Sequence, residues 1–402
     1  MSTRSLRVCL DARIPDGTHG GVQQVILGLA HGLSSLPSGP EEYLFLVTPG
    51  QWDWLRPHLV GPCRPLEAKG RAPTAWRRAL GVFRRSGGAP ESDGTVERAG
   101  ADVVHLTLQD GFRTSLPTIY MPYDLQHVHL PGFFSAAELA ARQAVYPDLC
   151  RRAASVVAIS RWGKEDLVRT YGLEPGKVQA IHLAPAVDAY PPLTAAEVEA
   201  ARRRLGLPAT FAFYPAQAWP HKNHRALLEA LAMLRRDDRL QVPLVLTGKE
   251  NRFFPELRAR IAELGLGDQV SSMGFLPPGD LRAVYEASRL VVFPSMFEGF
   301  GMPVLEAFRL GVPVAASSST SLPEVAGGAA RLFDPRDPRD VAEAVKEAWS
   351  DPALREELSR RGRSRAATFT WSRTASAFRS LYRKVAGRPL DDRDRAALAD
   401  AA

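Results

Sequence analysis

One segment limits this chain's architecture more than any other. Leu290-Val291-Val292-Phe293 is an apolar run of the buried-strand type, broken by Pro294-Ser295, and Phe297-Glu298-Gly299-Phe300-Gly301-Met302-Pro303-Val304-Leu305-Glu306 follows at once. Pro303 suits a first helical residue, whose N–H has no partner to lose, and Gly311 suits the C-cap of the run Val304 to Leu310. The spacing therefore predicts that Gly299 to Met302 lies across a helix N-terminus, at a strand's carboxyl end. Unpaired N–H groups and the helix dipole favour an anion such as phosphate there, and glycines let a ligand approach the backbone. Glu298 precedes the helix and Glu306 falls in its first turn or so. Carboxylates repel phosphate, but they accept hydrogen bonds from sugar hydroxyls, as the acidic residue of dinucleotide folds does from ribose. The segment thus points to a nucleotide-sugar.

Strand-like runs recur along the chain. The first six are Leu6 to Leu10, Tyr43 to Thr48, Val103 to Leu106, Thr118 to Met121, Ser155 to Ile159 and Val178 to Ile181. Six more are Phe211 to Tyr214, Leu244 to Thr247 with Gly248, Val270 to Met273 with Gly274, Leu290 to Phe293, Val312 to Ala315 and Ala330 to Phe333. Helical segments between them make this an α/β chain with parallel sheets. The proline-rich stretch Ala184 to Pro192 lacks periodicity and marks a hinge. Domains are expected at 1–187 and 188–371, then a helix at 372–387 that packs back toward the first domain and a charged tail, 388–402, that frays.

Other stretches leave alternatives open. Gly17-Thr18-His19-Gly20-Gly21 precedes a helix expected from Val22 to about Leu33, and reads either as an anion cradle or as a tight turn. Its spacing is not GxGxxG, so a dinucleotide cofactor is not supported. From Arg64 to Gly100 the apolar periodicity is lost, and part of this stretch is expected to be a mobile loop. Within it, residues 75–85 read either as a basic amphipathic helix on an anionic membrane or as a surface helix with its apolar side on the core. Polar residues crowd Pro122 to Pro131 after one strand and Pro220 to His224 after another, where open α/β sheets place their ligands. His127 and His129 alternate, yet no third metal ligand stands at suitable spacing.

With 402 residues, 45% of them hydrophobic, the chain can bury two full cores. Cys9, Cys63 and Cys150 are odd in number and far apart, and Met1 to Val8 is too polar for a signal peptide, so a cytoplasmic protein is expected. If 75–85 binds lipid, that place is the inner face of the membrane. A net charge of +7 fits nucleic acid, an anionic membrane or phosphorylated substrates. No aromatic-basic or helix-turn-helix pattern supports nucleic acid.

Glu298-Gly-Phe-Gly-Met-Pro-Val-Leu-Glu306 resembles the E-x7-E motif of the retaining glycosyltransferases of family four, whose GT-B fold has two facing Rossmann-like domains with a nucleotide-sugar cleft between them. Pro220-His221-Lys222-Asn223 resembles that family's basic motif. Asp124-Leu125-Gln126-His127, Gly20-Gly21 and Phe369-Thr370-Trp371 also fall where the family has comparable features. The resemblance implies that Lys222 neutralises the donor diphosphate, that amides around Gly301, Met302 and Val304 hold phosphate and sugar oxygens, and that Glu306 takes the ribose hydroxyls. Glu298 would contact the transferred sugar, Met273, Gly274 and Phe275 would meet the base, and Gly20-Gly21 would approach the diphosphate. Gly248, Gly299 and Phe300 complete the expected donor-binding set.

The family usually has His before the aspartate at position 124, where this chain has Tyr123, so the sugar-side hydrogen bond falls to the Tyr123 hydroxyl or to His127. The arginine common before the lysine is missing from Pro215 to Trp219. No metal is obligatory in this scheme; Asp392-Arg393-Asp394 matches a D-x-D metal motif but lies in the charged tail. Similarity to transferases of bacterial surface polysaccharides makes GDP-mannose the first expected donor and UDP-hexoses the second, with a glycan or lipid-linked glycan as acceptor. A nucleotide-sugar epimerase, a phosphorylase of similar fold and a catalytically inert glycan- or nucleotide-binding relative are the rival readings.

Overall fold

A computed structural model describes residues 4–17, 20–37, 39–68 and 88–401, in two units: Met1–Ala184 with Thr370–Ala402, and Pro185–Phe369. In the first unit, β1 (Leu6–Asp11), β2 (Glu41–Val47), β3 (Cys63–Glu67), β4 (Val103–Leu106), β5 (Thr118–Tyr120), β6 (Ser155–Ala158) and β7 (Val178–Ala180) form one sheet, ordered β3-β2-β1-β4-β5-β6-β7. All neighbours are parallel. Every residue of β4, β5 and β6 is buried, as expected of strands covered on both faces. Among the connecting helices are α1 (Gly20–Ser34), α2 (Thr95–Arg98), α3 (Gln126–His129), α4 (Ala136–Arg152) and α5 (Arg161–Tyr171).

The second unit repeats the design. Strands β8 (Ala212–Pro215), β9 (Leu244–Thr247), β10 (Val270–Ser272), β11 (Leu290–Phe293), β12 (Val314–Ser317) and β13 (Arg331–Phe333) form a sheet ordered β10-β9-β8-β11-β12-β13. It too is parallel throughout. Its helices are α6 (Ala195–Arg204), α7 (His224–Asp237), α8 (Phe254–Glu263), α9 (Pro278–Ala287), α10 (Met302–Arg309), α11 (Leu322–Ala326), α12 (Pro338–Ser350) and α13 (Pro352–Ala366). The order of both sheets reverses once, between β1 and β4 and between β8 and β11. Doubly wound sheets open a ligand crevice at that reversal, outside the strands' carboxyl ends.

Helices α14 (Trp371–Val385) and α15 (Asp392–Ala399) belong to the first unit. Helix α14 lies so close to α1 that a Cβ on Gly28 would stand 2.0 Å from Trp371 Cζ2, which makes glycine a packing requirement there.

The structure corrects several expectations. The stretch after Arg64 begins within a strand, β3, whose sequence Cys-Arg-Pro-Leu-Glu exposes three of five residues. It stands at the sheet edge, where Pro65 is tolerated and apolar alternation is not needed. Helix α4 leaves little periodic signal in the sequence, because Pro147 sits inside it and it buries only Val145, Tyr146, Leu149 and Cys150. Helix α1 starts at Gly20, not Val22. The tail expected to fray carries α15, closed by an Asp391–Asp394 capping box. Asp394 is buried and accepts from Ser380 Oγ at 2.7 Å and Arg383 Nη1 at 3.0 Å. Residues 75–85, with Thr18 and His19, lie outside the described residues. No described helix is long and apolar enough to cross a membrane.

Candidate functional site

In the second unit the loops after β8 and β11 flank the reversal point, and each delivers one charged side chain. After β8, a short 3-10 turn, Pro220–Lys222, is ended by Asn223 at φ 57, a left-handed conformation that asparagine tolerates. Asn223 Nδ2 donates to Pro294 O at 3.1 Å and Pro335 O at 2.7 Å, and the Met296 amide donates to His221 O at 2.8 Å. The two loops are thereby stitched together. Tyr214 Oη donates to Lys222 O at 2.6 Å and fixes the lysine backbone from below. Lys222 Nζ lies 2.6 Å from Glu298 Oε1 and 5.5 Å from the Phe293 ring centroid, a cation–π distance. Both charged side chains are largely buried, at 20% and 13% exposure.

The Glu298 loop is held from the far side. Ser321 Oγ donates to Glu298 O at 2.9 Å and Phe300 O at 3.0 Å, Thr320 Oγ1 donates to Glu298 O at 3.0 Å, and the Glu298 amide donates back to Thr320 Oγ1. Gly301, at φ 107, is the N-cap of α10, so the helix begins at Met302 with Pro303 second rather than first. A Cβ on Gly301 would meet Leu322 Cδ2 at 2.5 Å. The amides at Gly301 and Met302 open the helix, where N–H groups have no intrahelical partner. The Val304 amide, expected among the anion donors, instead bonds Gly301 O at 3.0 Å because the first turn is tight.

Glu306, in the body of α10, is 8% exposed and accepts from Tyr285 Oη on α9 at 2.8 Å. Burial pushes its carboxyl up to about 7, against the lowering effects of the Tyr285 hydroxyl and the Ala186 amide. Gly248, at φ 134, donates its amide to Gly274 O at 2.8 Å, and the Met273 amide donates to Leu246 O at 2.9 Å. These backbone bonds pin the loops after β9 and β10, leaving Phe275 60% exposed.

The groups expected in the first unit lie in the segments after β1 and after β5, the two strands that flank β4 in its sheet. Gly20 and Gly21 open α1, and among the described residues no atom beyond their chain neighbours and the helix's own backbone lies within 4 Å of the place a Cβ would take on either. The preceding turn is fixed by Gln23, whose Oε1 accepts from the Gly17 amide at 2.9 Å and whose Nε2 donates to Asp16 Oδ1 at 2.7 Å. Tyr123 takes a left-handed φ of 70 and donates its hydroxyl proton to Thr107 O at 2.8 Å, which leaves the hydroxyl as an acceptor only. Burial raises its pKa well above the ordinary tyrosine range. His127 is buried against Tyr146, contacts Tyr171 Oη through Nε2 at 3.3 Å, and keeps Nδ1 without a hydrogen-bond partner among the described residues. Desolvation pushes its pKa down to about 4, so it is neutral. Asp124 Oδ1 accepts from the Gln126 amide at 3.1 Å. His129 turns away from His127 to Asp166, 2.8 Å from Oδ1. Among the described residues no group of three or more His, Cys, Asp and Glu could hold a metal.

Tyr214, Tyr285 and Thr320 carry no signal of a site role in the sequence. Only the geometry shows the Tyr214 and Tyr285 hydroxyls aimed at Lys222 and Glu306.

Residues 198–365 match the family described as glycosyl transferases group 1. The chain is 28% identical over 279 residues to the O-antigen chain mannosyltransferase B of Escherichia coli, a match covering 66% of this chain and 73% of that protein. It is 29% identical over 328 residues to the serotype-specific mannosyltransferase WbdA of Escherichia coli, covering 76% of this chain but only 39% of that longer protein. The crystal structure of Anabaena Alr3699/HepE in complex with UDP and glucose superposes with a TM-score of 0.72 at 19% identity, covering 94% of this chain and all of that one (100%). The two doubly wound units have the GT-B fold. Fold and matches together support a glycosyltransferase.

Proposed function

We propose that this is a retaining hexosyltransferase, moving mannose in the first instance from GDP-mannose, and otherwise a hexose from a UDP-sugar, to a hydroxyl of a glycan or lipid-linked glycan in surface polysaccharide synthesis. The observation that carries this reading is the Lys222–Glu298 pair beside the start of α10, because it puts a cation, helix N–H groups and a carboxylate at one reversal point. The mannosyltransferase names of the relatives favour mannose.

Breaking the bond from the sugar's anomeric carbon to a diphosphate oxygen leaves negative charge on the diphosphate and oxocarbenium character on the sugar. In this reading Lys222 and the amides at Gly301 and Met302 stabilise the first, in a partly dry site where fixed donors act strongly. Glu298 orients the hydroxyls of the transferred sugar and Glu306 accepts from the ribose. Attack by the acceptor hydroxyl on the face the diphosphate leaves, with the hydroxyl proton passing to the departing diphosphate oxygen, retains configuration without an enzyme nucleophile. No step here needs a metal.

The test is to incubate the protein with GDP-mannose or UDP-glucose and a glycan acceptor, follow nucleoside diphosphate release, and read the anomeric configuration of the product by NMR. An α-linked product from an α-linked donor supports the reading. A new epimer formed without acceptor supports the epimerase instead, and no release with any donor supports an inert relative.

A further inference from the structure

A buried carboxylate that must recognise a sugar needs its own orientation fixed, and Glu306 has two neighbours that do so. Tyr285 Oη, on a fully buried side chain of α9, donates to Glu306 Oε2 at 2.8 Å. The Ala186 amide is the second donor. It comes from the 3-10 turn Ala186–Ala189, which is anchored on α10 by Asp188 Oδ2, 2.9 Å from Arg309 Nη2. Arg309 Nη2 also donates to Phe369 O at 2.9 Å. A carboxylate offers about four acceptor positions. Two are filled by these fixed donors, which leaves two, the number a ribose cis-diol requires.

We propose that Tyr285 is a positioning residue for nucleotide recognition: its hydroxyl, with the Ala186 amide, orients Glu306 so that the remaining lone pairs accept from both ribose hydroxyls. The inference rests on the reading of Glu306 as the ribose-binding group. It assigns to α9 and to the 186–189 turn a part in choosing ribonucleotide over deoxyribonucleotide donors.

Isothermal titration of the wild type and of Tyr285→Phe with GDP and UDP, each against its 2′-deoxy counterpart, tests it. A hydrogen bond to a charged group makes the wild type prefer the ribonucleotide by about tenfold or more. Tyr285→Phe keeps the ring and its edge contact with Phe213, and is expected to bring that preference to within about twofold of unity. Its binding should also lose the acid side of its pH profile at higher pH than the wild type does, because removing the hydroxyl takes away a group that favours the ionised carboxylate. Asp188, which disfavours ionisation, and its partner Arg309 are untouched by the change. Glu306→Gln supplies the reference for full loss of preference. If Tyr285→Phe proves unstable, Asp188→Asn, which frees the turn carrying the second donor, should lower the same ratio. A wild type that binds neither ribonucleotide, or prefers neither sugar, overturns the ribose reading and this inference with it. A wild type with the preference and a Tyr285→Phe variant that keeps it in full overturn the positioning role alone.

Discussion

Lys222 Nζ stands 2.6 Å from Glu298 Oε1, joining the loops that follow two adjacent parallel strands. In the proposed function the pair answers a problem posed by the missing arginine before Lys222, because one ammonium would then meet a diphosphate with little help. An ammonium has three N–H donors, so the bond to Glu298 holds Lys222 in place and still leaves donors for phosphate oxygens. Lys222→Ala is expected to lower the transfer rate by roughly 10²-fold or more, the scale of losing one preorganised donor. Initial rates with the preferred donor measure it, and near-normal turnover would remove Lys222 from the chemistry.

Glu298 is expected to behave differently. Its charge repels a diphosphate as well as steadying Lys222. Glu298→Gln should therefore bind the free nucleoside diphosphate at least as tightly as the wild type while turning over roughly 10²-fold more slowly, because the sugar loses its acceptor. Titration calorimetry beside initial rates separates the two effects; a parallel loss of both would assign Glu298 to folding of the loop.

Gly248 is a backbone requirement. Its φ is 134, and a Cβ would stand 2.8 Å from the Gln217 amide nitrogen, main chain that cannot swing aside. Gly248→Ala should cost about 1–3 kcal/mol from strain alone. Urea denaturation at neutral pH reads this directly, and a loss below about 0.5 kcal/mol, the range of ordinary surface changes, would contradict it.

Three buried imidazoles set the acid limit of stability. Burial pushes His105 down to about 3, and His127 and His224 each down to about 4, from the ordinary 6.5. The unfolded chain takes up these protons below 6.5 and the native chain does not, so their contribution is complete above that pH and is lost as pH falls toward 4. Each group contributes a slope of about 1.4 kcal/mol per pH unit in that window. Denaturation midpoints followed downward from neutrality should drop, and His224→Gln should drop less steeply.

Much of the fold was legible because its strands are short, doubly covered and uniformly apolar. Leu290-Val291-Val292-Phe293 and Leu244-Val245-Leu246-Thr247 begin and end where the letters change character. Edge strand β3 was not legible, since Arg64, Pro65 and Glu67 face outward and no alternation is needed there. The first candidate residues, Lys222, Glu298 and Glu306, could be read because glycine, proline and charge sit at strand ends. Their supports could not. Tyr214 and Thr320 look like filler until the parallel register brings β8 beside β11 and β11 beside β12. Residues far apart in sequence become neighbours only through that pairing, and a hydroxyl's partner is fixed by it.

Glu306 should limit stability for the sake of its site. Burial pushes its carboxyl from the ordinary 4.5 up to about 7, so the native protein holds this proton to higher pH than the unfolded chain. The stabilisation linked to that proton is complete below about 4.5 and is lost as pH rises through about 7, the reverse of the imidazoles. The loss amounts to about 3 kcal/mol. Glu306→Gln cannot ionise, and its amide oxygen still accepts from Tyr285. At about pH 8 the variant should be more stable than the wild type by up to about 3 kcal/mol, and at about pH 5 nearly equal to it. Nucleoside diphosphate binding should weaken over the same range, since an amide nitrogen replaces one acceptor. Urea denaturation at both pH values, with calorimetric binding on the same samples, checks the pairing of gain and loss. A variant less stable than the wild type at the higher pH would show that the ionised carboxylate, with its two donors, more than offsets its burial.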